Sequence, residues 1–432
     1  MSEDENIMET IDCGSIKEHK EIRSALGPFR TFPDYTIIYP EVVIKALCNL
    51  YEEYNQAFIP LVATNREWET DYGLCMNGSF VNYCVQIDMV GLSEVELKIL
   101  DSMSEIEVRE ILRKKIFEIE NSIAMYQLLE RIFSQNGHDS FFKIRFRAVL
   151  DDLRRRFDKP IALLAVTEEK YEAILASEFG RCPDEKLTNS EVKNLSGFDT
   201  LFSPQQFCEY LVTNNGECKH LLYVRSSDPI AKLKKPNLVV DHPLLSDSAV
   251  RRVIKANALT LNVDIPEMEY DRRINDTKDY MVEMNMAFPI ISIEDLHSDG
   301  FREYLYTQGI DLADVESGKV SIRCKPTKGA YGCYGHVSGF LTEKKFSKNL
   351  KRNLRLRGPY VIQLEMITPI VVNSSLGVEL TYIDRNFVGM INGHPQFIGG
   401  VRNLIPTDAV EAREHRIHGN SLSIYAEIKS MN

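Results

Sequence analysis

The chain has 432 residues and a formal net charge of −12, with 44% hydrophobic and 26% charged residues. That length divides into two or three ordinary cores, and no apolar run approaches the roughly 18–20 residues that a membrane-spanning helix needs. The acidic balance argues against a generic nucleic-acid binder, which requires a positive surface to displace counterions from phosphate. The opening Met1-Ser2-Glu3-Asp4-Glu5-Asn6 lacks the basic start and apolar run of a secretory leader. Nine scattered cysteines without a C-x-x-C pair suit free thiols in a reducing compartment. The expectation is a cytoplasmic protein with no membrane partner.

Residues 1–33 read as a polar N-terminal arm. Thr36-Ile37-Ile38-Tyr39 predicts a strand, followed by a helix over Glu41 to Tyr54 and a further apolar run, Phe58-Ile59-Pro60-Leu61-Val62. Ser104 and Glu107 have the spacing of a capping box, opening a long amphipathic helix with Ile106, Ile111, Ile116, Ile119, Ile123, Leu128 and Ile132 on its buried side. That face would serve an internal core or a dimer interface, so a homo-oligomer stays open. Residues 34–150 are expected to form an N-terminal α/β domain.

Ile161 to Val166 is a continuous apolar run, the mark of a strand covered on both faces. Helices over Glu168–Phe179 and Pro204–Val212, with strands at His220–Val224 and Asn237–Val240, complete a small parallel α/β layer over residues 151–241. Ser246 and Asp247 can cap a helix running to Asn257, and Phe288-Pro289-Ile290-Ile291 reads as a short strand. The rest of 242–432 is taken as a C-terminal domain, and the fold class is α/β (α+β).

The segment richest in chemistry follows Val320. Val320 to Lys325 has a strand pattern ending in lysine, and Gly329, Gly332, Gly335 and Gly339 come after it. Glycines let backbone N–H groups turn toward an anion, and a lysine at a strand end supplies a mobile positive charge to the same oxygens. Neither the G-x-x-x-x-G-K-[ST] nor the G-x-G-x-x-G pattern is present, so a phosphate cradle and a ligand-free hairpin both remain open on these residues.

The run Ser321-Ile322-Arg323-Cys324-Lys325-Pro326-Thr327-Lys328-Gly329-Ala330-Tyr331-Gly332 resembles the Lys-Pro strand and flexible glycine loop of the ATP-grasp superfamily. Pro359-Tyr360-Val361-Ile362-Gln363-Leu364-Glu365-Met366 is similar to that family's adenine-side strand, and the likeness extends over roughly residues 160–432. It implies a C-terminal ATP-grasp-like domain that binds ATP and Mg2+ and joins a small-molecule carboxylate to an amine through an acyl phosphate. It also implies ATP contacts from Lys325, Gly329, Tyr331, Gly332, Gly335, Gln363 and Glu365, and Glu427 as a metal ligand. Tyr425-Ala426-Glu427-Ile428 with Asn432 departs from the family's Glu-x-Asn spacing. That departure keeps an inactive nucleotide-binding regulator or scaffold in view, and an ATP-grasp kinase is a second alternative, favoured if phosphate oxygens of the acceptor account for the cations of 344–357.

Arg402 and Arg413 are candidates for steadying an acyl phosphate, since arginine forks match carboxylate and phosphate oxygens; structural ion pairs with Glu411 and Glu414 are the plainer alternative. His415 and His418 share a helical spacing that could hold a metal or simply face water. His336 lies in the glycine loop, and Cys324 and Cys333 flank it without an identifiable base. Lys344 to Arg357 carries Lys344, Lys345, Lys348, Lys351, Arg352, Arg355 and Arg357 and no acid. It reads either as a solvated helix face or as a phosphate-attracting rim beside the nucleotide.

Overall fold

The computed structural model describes residues 9–11, 31–63, 84–120, 141–165, 187–224, 247–257, 279–327, 336–364, 370–373, 378–407 and 424–430, with isolated positions at 168, 171, 172, 175 and 245. Three sheets form among them, in a mixed α/β arrangement.

The largest sheet begins with β1 (Glu9–Ile11) and β2 (Thr31–Tyr39), followed by helix α1 (Glu41–Ala63) and strand β3 (Cys84–Val90). The apolar run at Phe58–Val62 continues α1. α2 (Glu94–Asp101) and α3 (Glu105–Lys115) each open on a complete capping box, Ser93 with Glu96 and Ser104 with Glu107. Each box satisfies orphan helix donors reciprocally. The long helix expected from Ser104 stops at Lys115, because Ile116–Glu120 is strand β4. Pairing explains the break: Ile116, Glu118 and Ile119 lie opposite Met89, Asp88 and Ile87 of β3. Ile116 and Ile119 are buried in that setting, while Ile106 on α3 is 64% exposed. Ile123, Leu128 and Ile132 lie outside the described residues.

Next come α4 (Phe141–Phe157), β5 (Ile161–Leu164), α5 (Asn189–Ser196), β6 (Thr200–Phe202), α6 (Pro204–Thr213), β7 (Leu221–Val224) and α7 (Asp247–Asn257). β5 runs between β6 and β7, parallel to both. Ile161 and Leu163 pack toward α4, and Ala162 and Leu164 toward α6 and α7, so the apolar run is covered on both sides as expected. Most of Glu168–Phe179 and all of Asn237–Val240 lie outside the described residues, and β6 takes a place the sequence pattern did not assign to a strand.

The second sheet is assembled from α8 (Asp279–Glu283), β8 (Phe288–Ile290), a 3-10 turn at Ile293–His297, α9 (Asp299–Thr307), α10 (Leu312–Glu316), β9 (Ile322–Pro326), β10 (Val337–Gly339), α11 (Lys344–Arg357) and β11 (Tyr360–Leu364). Its order is β10-β9-β11-β8, antiparallel throughout. Ile322, Cys324, Tyr360 and Ile362 pack against Phe301, Leu305, Phe346 and Leu350 of the covering helices. Alternation along a strand therefore turns Arg323, Lys325, Val361 and Gln363 to the opposite face.

β12 (Ile370–Asn373), β13 (Val378–Ile391), β14 (His394–Pro406) and β15 (Ile424–Ser430) complete the large sheet in the order β1-β12-β13-β14-β15-β2. β13 seats β12 at 378–381 and β3 at 383–389 along one edge, with β4 beyond β3, and β14 along the other. Asn392 and Gly393, at φ 54° and 79°, make the turn between β13 and β14; left-handed residues suit a two-residue hairpin because they follow the strand twist. One face of the sheet packs Leu380, Tyr382, Leu404, Ala426 and Ile428 with α1, and the other packs Phe387, Ile398 and Val401 with α4. Among the described residues no helix is long and apolar enough to cross a membrane.

Candidate functional site

Lys325, 2% exposed on the polar face of β9, donates from Nζ to the Phe117 carbonyl at 2.6 Å. On the neighbouring β11, Gln363 donates from Nε2 to the Ile116 carbonyl at 3.2 Å. The Tyr280 hydroxyl of α8 accepts the Ile119 N–H at 2.8 Å and donates to the Ile119 carbonyl at 3.1 Å. Among the described residues β4 pairs only with β3, so these three side chains cover its other edge. Lys325 and Gln363 thus share one surface and already dock the four-stranded sheet onto the large one.

Residues 328–335, which include Gly329, Tyr331, Gly332, Cys333 and Gly335, lie outside the described residues, as do Glu365, Arg413, His415 and His418. The two ends of the glycine segment are nonetheless fixed. Cys324, Arg323 and Ile322 pair with Val337, Ser338 and Gly339, so the segment connects an antiparallel hairpin with Lys325 at its mouth. Thr327 pins the exit of β9, donating from N–H and hydroxyl to the Pro359 carbonyl at 3.0 and 3.1 Å. His336 precedes β10 and is half-buried. Complete burial pushes the Cys324 thiol up, which keeps it protonated and unreactive.

Arg402 lies on β14, 1% exposed, facing α1. Its Nε and Nη2 donate to Asp384 Oδ1 and Oδ2 at 2.7 and 2.8 Å, Nη2 also donates to the Leu92 carbonyl, and the guanidinium stands 4.1 Å from the Tyr382 ring centroid. Asp384 further accepts the Tyr39 hydroxyl at 2.6 Å and the Leu92 N–H at 3.0 Å. The group ties β2, the loop after β3, β13 and β14 together, and steadying an acyl phosphate would require Arg402 to exchange these bonds.

Glu427 faces the other way. Ala426 is the strand partner of Arg402 and Val401 that of Glu427, so alternation turns Arg402 and Glu427 to opposite sides of the sheet. The Glu427 carboxylate accepts the backbone N–H groups of Phe141 and Phe142 at the start of α4, where orphan donors and the helix dipole favour an anion. A magnesium ion placed there would meet the positive end of a helix. Among the described residues no group of three His, Cys, Asp or Glu side chains is arranged to hold a metal. A metal-ligand role would require Glu427 to give up these N–H bonds.

Burial raises the Glu427 pKa, and Lys429 and the two N–H groups offset only part of that rise. A carboxyl whose folded pKa is raised adds stability below its unfolded value and loses that contribution as pH climbs through the folded value. Wild type should therefore lose stability relative to Glu427→Gln as pH rises from the ordinary glutamate value of 4.5. Denaturant midpoints of both proteins across that range provide the measurement. A constant difference between them would show that Glu427 does not titrate in this way.

A further polar row escapes local pattern reading. On β3, Gln86 and Asp88 are buried, and Gln86 Nε2 donates to Asp88 Oδ1 at 2.8 Å. Arg385 of β13 lies 3.7 Å from the Asp88 carboxylate. Glu118 of β4 is the cross-strand partner of Asp88 and the neighbour in sequence of Phe117, whose carbonyl holds Lys325. Gln86 Oε1 is buried without a hydrogen-bond partner. Polar groups on a strand flanked on both sides cost desolvation unless they are matched, and their alternation within Cys84–Val90 was the signal in the sequence.

No family model matches the chain, and no curated protein was found to match it. Among solved structures the chain is similar to an apo structure of a glutathione synthetase-like effector (GSS30) from Globodera pallida, with a TM-score of 0.40 and 10% identity over 96% of each chain. A superposition of that quality assigns no activity, substrate or residue role to this chain.

Proposed function

We propose that the chain binds ATP at the polar face of β9 and β11, beside the β3–β4 edge, and uses it to join a carboxylate to an amine. Transfer of the γ-phosphoryl group to the carboxylate would give an acyl phosphate and ADP, and attack by the amine would release phosphate. The observation that carries this reading is the β9–β10 hairpin: a glycine-rich connection held at both ends, with the Lys325 ammonium at its mouth and Gln363 beside it on the same face. Backbone N–H groups and a positioned ammonium are what a phosphate chain requires, and in a site shielded from water they stabilise developing charge without reorganising. The sequence likeness of 321–332 and 359–366 to ATP-grasp elements supports the same reading. Among the described residues no group of three His, Cys, Asp or Glu side chains supplies a magnesium site.

The test is thermal unfolding with and without ATP, each with and without magnesium, because a ligand that binds only the native state raises the midpoint. Lys325 also holds β4, so Lys325→Ala must be judged against its own nucleotide-free midpoint. A rise in wild type that disappears in Lys325→Ala is the expected result. No rise in wild type at saturating ATP would end the nucleotide reading. ADP release with a product containing both substrates distinguishes the ligase from a kinase, which leaves a phosphorylated acceptor, and from a regulator, which binds without turnover.

A further inference from the structure

The basic helix α11 is left unused by the nucleotide reading. Phe346, Leu350 and Leu354 recur every fourth residue and seat one side of it in the core behind β9 and β11. At about 100° per residue, Lys344, Lys345, Lys348, Lys351, Arg352 and Arg355 fan across the opposite side, and all of them are exposed. Lys325 and Gln363 lie on the other face of the sheet that α11 covers. The cations therefore point away from the proposed nucleotide and do not form its rim.

The face carries an internal cost. Lys344 with Lys348, Lys348 with Arg352, and Lys351 with Arg355 are like-charged neighbours one turn apart, an arrangement that destabilises a helix. The nearby ion pairs, Arg302 with Asp299 and Lys319 with Asp314, do not involve it. Glu343 stands at its N-terminal end. Glu294 has its pKa lowered by its own backbone N–H and the Ser292 hydroxyl first, and by Lys351 more weakly. At the C-terminal end a large apolar side chain is exposed. Leu356, 68% exposed, follows Arg352 by one turn.

We propose that the exposed side of α11 is a docking surface for a membrane containing anionic phospholipid. The six cations lie over the headgroups, and Leu356 enters the interface. Lys344 to Arg355 spans about 16 Å at 1.5 Å per residue, and clusters of roughly four to eight Lys and Arg on an amphipathic helix suffice for reversible adsorption. Two observations favour lipid over nucleic acid. An exposed leucine gains from an acyl boundary and gains nothing from a phosphodiester backbone. A planar surface also meets one face of the molecule, and the acidic residues elsewhere that give the whole chain its net charge of −12 are screened beyond about 8 Å at physiological salt. That no described helix is long and apolar enough to cross a membrane bears on insertion, not on adsorption of this kind.

Flotation of the full chain with vesicles tests the proposal. The chain should partition onto phosphatidylcholine vesicles containing about one third phosphatidylserine, leave them in ~0.5 M salt, and ignore pure phosphatidylcholine. Lys348→Gln/Lys351→Gln/Arg352→Gln/Arg355→Gln should lose at least about tenfold in partitioning with its unfolding midpoint no lower than that of wild type and its response to ATP unchanged. Leu356→Ser keeps every charge and should bind several-fold more weakly, so the test stands even where the fourfold variant fails to fold. Equal binding to neutral vesicles, undiminished binding by the folded fourfold variant, or binding of a short RNA duplex without binding of phosphatidylserine vesicles would each overturn the proposal.

Discussion

Arg402→Met is expected to destabilise the fold by about 3–5 kcal/mol, the usual result of removing one partner from a buried ion pair. The loss comes chiefly from what stays behind. Asp384 is fully buried and keeps the Tyr39 hydroxyl and the Leu92 N–H as donors, while the Leu92 carbonyl and the face of Tyr382 lose the guanidinium. Combining it with Asp384→Leu removes the stranded charge and should recover part of the loss, although the Tyr39 hydroxyl then needs a new acceptor. Urea unfolding of both single variants and the double variant gives the coupling between the two residues. Additive losses would mean that the pair is not the unit of stability described here.

Gly91→Ala should cost about 1–3 kcal/mol or more, the range for forcing atoms into a packed interior. A Cβ at Gly91 would lie 2.1 and 2.3 Å from two carbons of the Tyr382 ring and 3.2 Å from Asp384 Oδ1. The ring is buried between that backbone and the Arg402 guanidinium, so relief means giving up the cation–π contact or shifting Leu92 off Asp384. Gly393→Ala, at an open position of φ 79° with nothing within 4 Å of the added atom, is the matched control. It introduces backbone strain alone. Equal midpoints for the two variants would remove the steric argument.

Local order in the sequence was legible wherever a rule acts over a few residues. The Ser104–Glu107 box, the apolar strand at Ile161 and the helix from Asp247 to Asn257 all stand where pattern reading put them. Ile116 and Ile119 were assigned to a helix because their spacing fits one, and only the partner strand β3, nearly thirty residues upstream, makes them a strand. The same distance effect governs the site. Lys325 and Gln363 could be singled out from their strands, yet their contacts are carbonyls of β4, more than two hundred positions away. The Arg402 guanidinium read as a reagent for phosphate because its acidic partner is on the neighbouring strand of a long hairpin, and its carbonyl partner follows β3. Asp88 and Arg385 escape local reading for the same reason: neither has a local motif, and they meet only when β3 aligns on β13.

The position of β15 sets the order in which the molecule can be built. It lies between β14 and β2, so Ile428 and Lys429 pair with Ile37 and Ile38 across almost the whole chain. The β5–β7 layer and the β8–β11 sheet draw their strand pairings from continuous stretches and can form while synthesis proceeds. The large sheet cannot close until Ile424–Ser430 has left the ribosome, and contacts of such sequence separation are the slowest to find. A chain stalled before Ile424 holds β2 without its strand neighbour and leaves Ile37 and Tyr39 without their full cover. That is the species most prone to aggregate, and the one a chaperone would need to shield.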